Sequence, residues 1–331
     1  MKYRKLGETD LELSVVTFGA WAIGGWMWGG ADRKDAIDAI RTAYDQGVTS
    51  IDTAPVYGQG TSEEIVGEAL KDIGRDKVQI LTKYGMRWDL KKGDYAFPSK
   101  DEKGRDLEIY KYAGREGIRK EIEDSLRRLS TDYIDLYQIH WPDSTTPIQE
   151  SMETVAELIK EGKVRYAGVC NYGLEDLQEA EKYIDLASDQ VPYSMVNRDI
   201  EDEVIPWCIK NNRSVIAYSP LQRGLLTGKF KPGHQFNEGD HRADQHYFKD
   251  ENLKRTNEFL DRIKPMADEK GLTLAQLVIL WTVEQAGITI ALVGARNASQ
   301  AVQNARAMNS QLSDEEIEII NRELDKLILV E

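Results

Sequence analysis

The chain has 331 residues, 41% of them hydrophobic, and a formal net charge of −14. That apolar share suffices for a sizeable core, whereas the acidic balance argues against a surface for nucleic acid or anionic lipid. No apolar run reaches the roughly 18 residues a membrane helix needs. The opening stretch MKYRKLGETDLELS is charged, with no apolar segment behind it, so no secretory signal is expected. Cys170 and Cys208 are too few for a disulfide framework and fit a reducing cytoplasm.

Eight short runs rich in β-branched residues alternate with amphipathic helices. The first run, Val15–Phe18, precedes a helix in which Ala36, Ile40 and Ala43 share a face with Ile37 and Tyr44 beside it. The second, Val48–Ile51, precedes a helix that buries Ile65, Val66, Ala69 and Leu70; Ser62 is its expected cap, with Glu63 and Glu64 in the first turn. Val78–Thr82 leads to the stripe Ile118, Ile122, Leu126 and Leu129, and Tyr133–Ile139 leads to Met152, Val155, Leu158 and Ile159. Val164–Val169, Val191–Val196, Val215–Tyr218 and Ile288–Val293 complete the set. Gly47 and Gly162 stand where helices must stop. Asn297-Ala298-Ser299 reads as the opening of a helix rather than a glycosylation sequon. Ile317, Ile320, Leu324 and Leu327 give a last helix able to pack on its own barrel, and no heptad repeat is present, so a monomer or weak oligomer is expected.

Near-continuous apolar strands alternating with helices imply parallel βαβ units. Eight such units point to an α/β fold, a closed (β/α)8 barrel, over residues 1–331 as a single domain. An open doubly wound sheet is the alternative, but its G-x-G-x-x-G fingerprint is missing after the first run, and no phosphate-binding loop of the G-x-x-x-x-G-K type occurs. The residues before Val15 are expected to form a hairpin across the barrel floor. Met86–Tyr112 and Arg223–Asp250 are long loops on the opposite face, where barrel active sites lie. The basic residues from Lys91 to Lys120 alternate with acids and read as a solvated loop.

The chemistry-bearing residues sit at strand C-terminal ends. Asp52 ends the second run, Tyr57 follows in its loop, Lys83 ends the third and His140 the fourth. In a closed barrel these side chains converge on one mouth. A buried Asp52 requires a partner, and Lys83 is the natural one. A lysine near Tyr57 favours the phenolate and is expected to lower the tyrosine pKa. His140 could then steer a carbonyl oxygen toward Tyr57, giving a proton donor for carbonyl reduction with hydride from a cofactor. A metal site is the weaker reading, since His140, His234, His241 and His246 lack ligand spacing.

With these residues in place, the sequence resembles the aldo-keto reductase family over nearly its whole length. The motifs include Ile51-Asp52-Thr53-Ala54-Pro55-Val56-Tyr57-Gly58, Thr82-Lys83-Tyr84-Gly85, Asp132 through Pro142, Gly168-Val169-Cys170-Asn171 and Tyr218-Ser219-Pro220-Leu221. Within the family it is most similar to the bacterial branch that includes general stress protein 69. The resemblance implies NADPH-dependent reduction of small aldehydes or ketones, with Asp52, Tyr57, Lys83 and His140 as the catalytic tetrad and a role in carbonyl detoxification under stress. It further implies that Cys170, Asn171 and Gln190 contact the nicotinamide amide and that Tyr218 stacks beneath the ring, with Ala20, Trp21 and Asp52 nearby. Ser219, Pro220, Leu221, Gln222, Arg223, Gly224 and Lys229 would follow the pyrophosphate.

At the end of the eighth run, Gly294, Ala295, Arg296 and Gln300 would surround the adenosine 2′-phosphate, and Asn304 would reach the adenine. Here the chain departs from the commoner family pattern. Gly294 and Ala295 replace a lysine and a serine, and Gln300 replaces an arginine, so NADPH preference rests largely on Arg296. Cys170 replaces the usual serine, weakening one hydrogen bond. Trp21, Trp26, Trp28, Trp88 and Trp141 suggest an aromatic substrate mouth. Two rivals stay open: a potassium-channel β-subunit acting through a membrane partner, and a barrel isomerase or hydrolase using Asp52, Lys83 and His140.

Overall fold

The computed structural model describes residues 1–101 and 103–330. Eight parallel strands close into a barrel: β1 (Val16–Gly19), β2 (Ser50–Asp52), β3 (Gln79–Tyr84), β4 (Ile134–Ile139), β5 (Val164–Cys170), β6 (Leu186–Pro192), β7 (Ser214–Tyr218) and β8 (Ile288–Gly294). Each pairs with its sequence neighbours, and β8 pairs back onto β1 through Ala291 and Val16 to complete the ring. Seven strands fall within a residue or two of the runs expected. The sixth is displaced: it is Leu186–Pro192, not Val191–Val196. Its centre, Ser188-Asp189-Gln190, is polar yet fully buried, so an apolar pattern could not mark it.

Helices α1 (Arg33–Asp45), α2 (Thr61–Ile73), α3 (Arg115–Leu129), α4 (Ile148–Lys160), α5 (Leu174–Ala180) and α6 (Val204–Lys210) follow the first six strands. After β7 come α7 (Asp250–Glu269) and α8 (Leu274–Glu284), then α9 (Ala298–Arg306) and α10 (Asp314–Leu324) after β8. Their apolar stripes face the barrel as the spacing requires: Ile118, Ile122, Leu126 and Leu129 of α3 are all buried. Asn297 caps α9 by accepting the Gln300 N–H at 3.0 Å, and Ile320 and Leu324 of α10 pack on the main core. Gly47 and Gly162 adopt left-handed φ of 85° and 76° at the helix stops. Ser62 is not the cap of α2. It lies inside the first turn, after Gly60 at φ 104°, and its hydroxyl donates to the Ala20 carbonyl at 2.8 Å, tying α2 to the end of β1.

The N-terminal hairpin pairs Tyr3–Lys5 with Glu12–Ser14. It carries Leu6, Leu11 and Leu13 into the barrel floor against Leu81, Leu136, Ile216 and Ile290. Burying each leucine contributes about 1.5–3 kcal/mol. With the floor sealed, the usable opening lies at the C-terminal ends of the strands. Above it, residues 86–101 and 103–111 are not a loose loop. They form an antiparallel sheet of Met86–Arg87, Asp94–Lys100 and Asp106–Lys111, and Lys91, Lys92 and Lys100 pair with Glu108, Glu116 and Asp106. Alternating charge in this stretch therefore marks a salt-bridged sheet surface.

Candidate active site

The barrel register brings the polar strand ends to one level: Lys83 lies beside Gln138 and Cys170 beside Gln190. At the centre, the Lys83 ammonium donates to Asp52 Oδ1 at 2.6 Å and to the Thr53 carbonyl at 2.9 Å. Both side chains are almost fully buried. The second Asp52 oxygen accepts from Gln190 Nε2 at 2.8 Å and, more weakly, from Gln138 at 3.5 Å. Such full satisfaction is what lets a carboxylate persist in the barrel. Burial opposes the charge on Lys83, but Asp52 overrides it and the lysine pKa is raised.

Tyr57 lies over this pair, with the Lys83 ammonium 5.0 Å from its ring centroid and the His140 ring 5.5 Å away at 81°. Burial pushes the Tyr57 phenol up to about 12, against the opposing pull of Lys83. The expected lowering by lysine is therefore outweighed by desolvation. Burial and the Lys83 charge together hold His140 well below the usual histidine range, so its imidazole is neutral at neutral pH. The Tyr218 hydroxyl donates to Asn171 Oδ1 at 2.9 Å, and Asn171 Nδ2 donates to the His140 carbonyl at 2.9 Å. Asn171 achieves this from a left-handed φ of 59°.

These groups open into a cavity of about 640 Å³ walled by Trp21, Trp26, Trp28, Trp141, Met86 and Phe97. The wall continues along Ser219–Leu221, Arg223, Gly224 and Lys229 to Gly294, Arg296, Gln300 and Asn304. Ser219, Gln222 and Arg223 all have positive φ, of 57°, 45° and 55°, a strained backbone of the kind that accumulates at ligand sites. Arg223 donates to Gln245 at 2.8 Å, and among the described residues it forms no ion pair. Over the opening, Trp28 and Asp240 form an antiparallel bridge, and His241 donates through Nδ1 to the Met27 carbonyl at 2.6 Å. The His241 ring packs 5.1 Å from both Trp21 and Trp28.

The profile of the Aldo/keto reductase family matches residues 15–325. The chain belongs to this family. As a member it is an oxidoreductase acting on carbonyl compounds with a nicotinamide cofactor. It is 38% identical to the aldo-keto reductase YhdN of Bacillus subtilis (strain 168), over 99% of this chain and 95% of that protein. It is also 38% identical to the NADH-specific methylglyoxal reductase of Escherichia coli (strain K12), over 95% of each chain. Among solved structures, the glycerol dehydrogenase of Gluconobacter oxydans superposes with a TM-score of 0.88 at 37% identity, covering 98% of this chain and 96% of the other. A Klebsiella pneumoniae aldo/keto reductase in complex with NADP and acetate gives 0.73 at 29% identity, covering 97% and 95%.

The aldo/keto reductase cleft suits such a cofactor. Trp21 Nε1, Trp28 Nε1 and Arg223 Nε are buried without hydrogen-bond partners among the described residues. Unpaired donors beside a guanidinium fit an anionic ligand. Of the residues expected at the site, Trp21, Asp52, Tyr57, His140, Asn171, Gln190 and Tyr218 line the reductase cavity. Lys83 lies just beneath it. Ala20, Cys170, Gln222 and Ala295 lie behind the wall: all four are buried, and Gln222 is turned toward the Ser194 hydroxyl at 3.1 Å. Trp88 packs beside the cavity without lining it. Sequence reasoning missed two residues of the reductase site. Gln138 was legible, since period-two alternation puts it on the same inward face as His140. His241 had no signal, because its role depends on two loops meeting.

Proposed function

We propose that the protein reduces aldehydes and ketones to alcohols with NADPH, Tyr57 giving the proton. The buried Lys83–Asp52 pair beneath Tyr57, with neutral His140 beside it, is the observation that supports this reading. When bound, the cofactor supplies hydride to the carbonyl carbon. Tyr57 keeps its proton at neutral pH and remains acid enough to protonate an alkoxide, a much stronger base. Lys83 offsets the charge then left on the phenolate. Asp52 holds Lys83 charged and in place, and Gln190 and Gln138 hold Asp52. His140, uncharged, orients the carbonyl oxygen toward Tyr57.

Asn171 and Gln190 would hold the nicotinamide amide, with Tyr218 against the ring. Arg223 and Lys229 would meet the pyrophosphate, Arg296 the 2′-phosphate and Asn304 the adenine. The aromatic wall favours aromatic or medium-sized apolar aldehydes, a range suited to clearing reactive carbonyls under stress. We take residues 1–331 as one domain working in the cytoplasm as a monomer or weak oligomer.

The test is loss of reduced-cofactor absorbance with an aromatic nitroaldehyde. Tyr57→Phe should lower turnover about 10²–10⁴-fold while dinucleotide affinity, read by fluorescence quenching, stays close to that of the parent. Turnover near the parent value would remove Tyr57 as the acid.

A further inference from the structure

We propose that Asp32 and Asp35 oppose Arg296 at the adenosine end of the cleft and thereby hold down the preference for NADPH, so that NADH is accepted alongside it. This inference rests on the cofactor reading above. A second, shallow cleft adjoins the main cavity, bounded by Asp32 and Asp35 on one side and by Arg296 and Asn297 on the other, with Gly29 and Gly30 between. Gly29 and Gly30 have φ of 72° and 89°. This left-handed pair turns the chain so that the start of α1 faces the turn after β8.

The charges on the two sides are unequal. Arg296 is exposed, donates to the Trp28 carbonyl at 3.2 Å and forms no ion pair among the described residues, so its guanidinium is available to a ligand. No second cation supports it from its own turn, where Gly294 and Ala295 are uncharged. Gln300 is also neutral, and its Oε1 is occupied by the Arg296 N–H at 2.9 Å. Asn304 is likewise neutral and donates to the Gly294 carbonyl at 3.0 Å.

Across the cleft, Asp32 accepts the Asp35 N–H on Oδ1 at 2.8 Å, leaving its other oxygen open. The neighbouring cations make their direct ion pairs elsewhere, and Lys34 offsets Asp32 and Asp35 only through its more distant charge. Lys34 is 2.6 Å from Asp38, and Arg33 is 2.7 Å from Glu68. A 2′-phosphate entering here meets one guanidinium and two carboxylates. A ribose 2′-hydroxyl meets the same guanidinium without the repulsion, and it can donate to an open carboxylate oxygen.

The experiment is calorimetric and fluorescence titration of the full-length protein with NADPH and NADH, and with the fragments 2′,5′-ADP and 5′-AMP. It compares the parent with Asp32→Asn, Asp35→Asn and the double variant. Asparagine keeps the helix cap, so α1 is retained. The double variant should raise the NADPH-to-NADH affinity ratio about five- to tenfold, with a parallel rise for 2′,5′-ADP over 5′-AMP. Arg296→Ala should move both ratios the other way. If the parent binds both dinucleotides and the double variant leaves the ratio unchanged or lowers it, the inference is overturned while the cofactor reading stands. If the parent binds neither dinucleotide, the cofactor reading itself fails, and this inference with it.

Discussion

Replacing Lys83 by Met tests whether the centre of the barrel is held together by charge. The ammonium lies 2.6 Å from Asp52 Oδ1, with side chains only 1% and 3% exposed. Methionine fills most of the lysine volume but leaves Asp52 an unpaired buried carboxylate. Removing one partner of a buried pair costs about 3–5 kcal/mol. Gln190 at 2.8 Å and Gln138 at 3.5 Å still donate to the other oxygen, which places the expected loss near the low end, about 3 kcal/mol. Asp52→Asn alone strands the lysine instead and should cost a similar amount. The double variant Asp52→Asn/Lys83→Met buries no charge and should recover about 2 kcal/mol relative to either single change. Urea unfolding midpoints of all four proteins, compared at equal slope, read this directly. A Lys83→Met loss below about 1 kcal/mol, or a double variant as unstable as the sum of the singles, would refute the reasoning.

Two further outcomes follow from burial and packing. His140 has a folded-state pKa below its ordinary value of 6.5, so the unfolded chain takes up a proton first as pH falls. Stability from this group is full above about 6.5 and declines below it, by up to about 1.4 kcal/mol per unit. Unfolding midpoints measured across that range should fall less steeply in His140→Gln, and parallel slopes would count against a buried neutral imidazole. Gly67→Ala should destabilise by about 1–3 kcal/mol. The added methyl would sit 2.6 Å from the Arg128 carbonyl oxygen and 2.9 Å from the Leu129 carbonyl carbon, both backbone atoms at the end of α3. A thermal midpoint within a degree or so of the parent would show that α2 can shift at little cost.

The barrel was legible because seven of its strands are apolar and β-branched, so burial on both faces leaves a plain mark in the sequence. β6 escaped because Asp189, fully buried, behaves unlike an interior residue. Neither of its carboxyl oxygens has a hydrogen-bond partner among the described residues, and burial drives its pKa far upward. The sheet of Met86–Arg87, Asp94–Lys100 and Asp106–Lys111 was hidden for the opposite reason, since its surface is charged and partly exposed. At the site, Asp52, Lys83 and His140 could be inferred from their places at strand ends, and Gln138 from alternation. The acidity of Tyr57 was misjudged because a sequence displays the lysine but not the depth of burial that outweighs it. The meeting of the Met27–Trp28 and Asp240–His241 segments is a tertiary event between residues more than two hundred positions apart, and no local pattern announces it.

The leucine-filled hairpin beneath the strands makes the barrel a vessel with one doorway. Traffic in both directions must use the same rim, which the Trp28–Asp240 bridge already narrows. Two ligands sharing a single doorway cannot exchange independently, because whichever sits deeper or lies under the bridge waits for the other to clear. A change far from the chemistry, at the rim, can then set the pace of exchange.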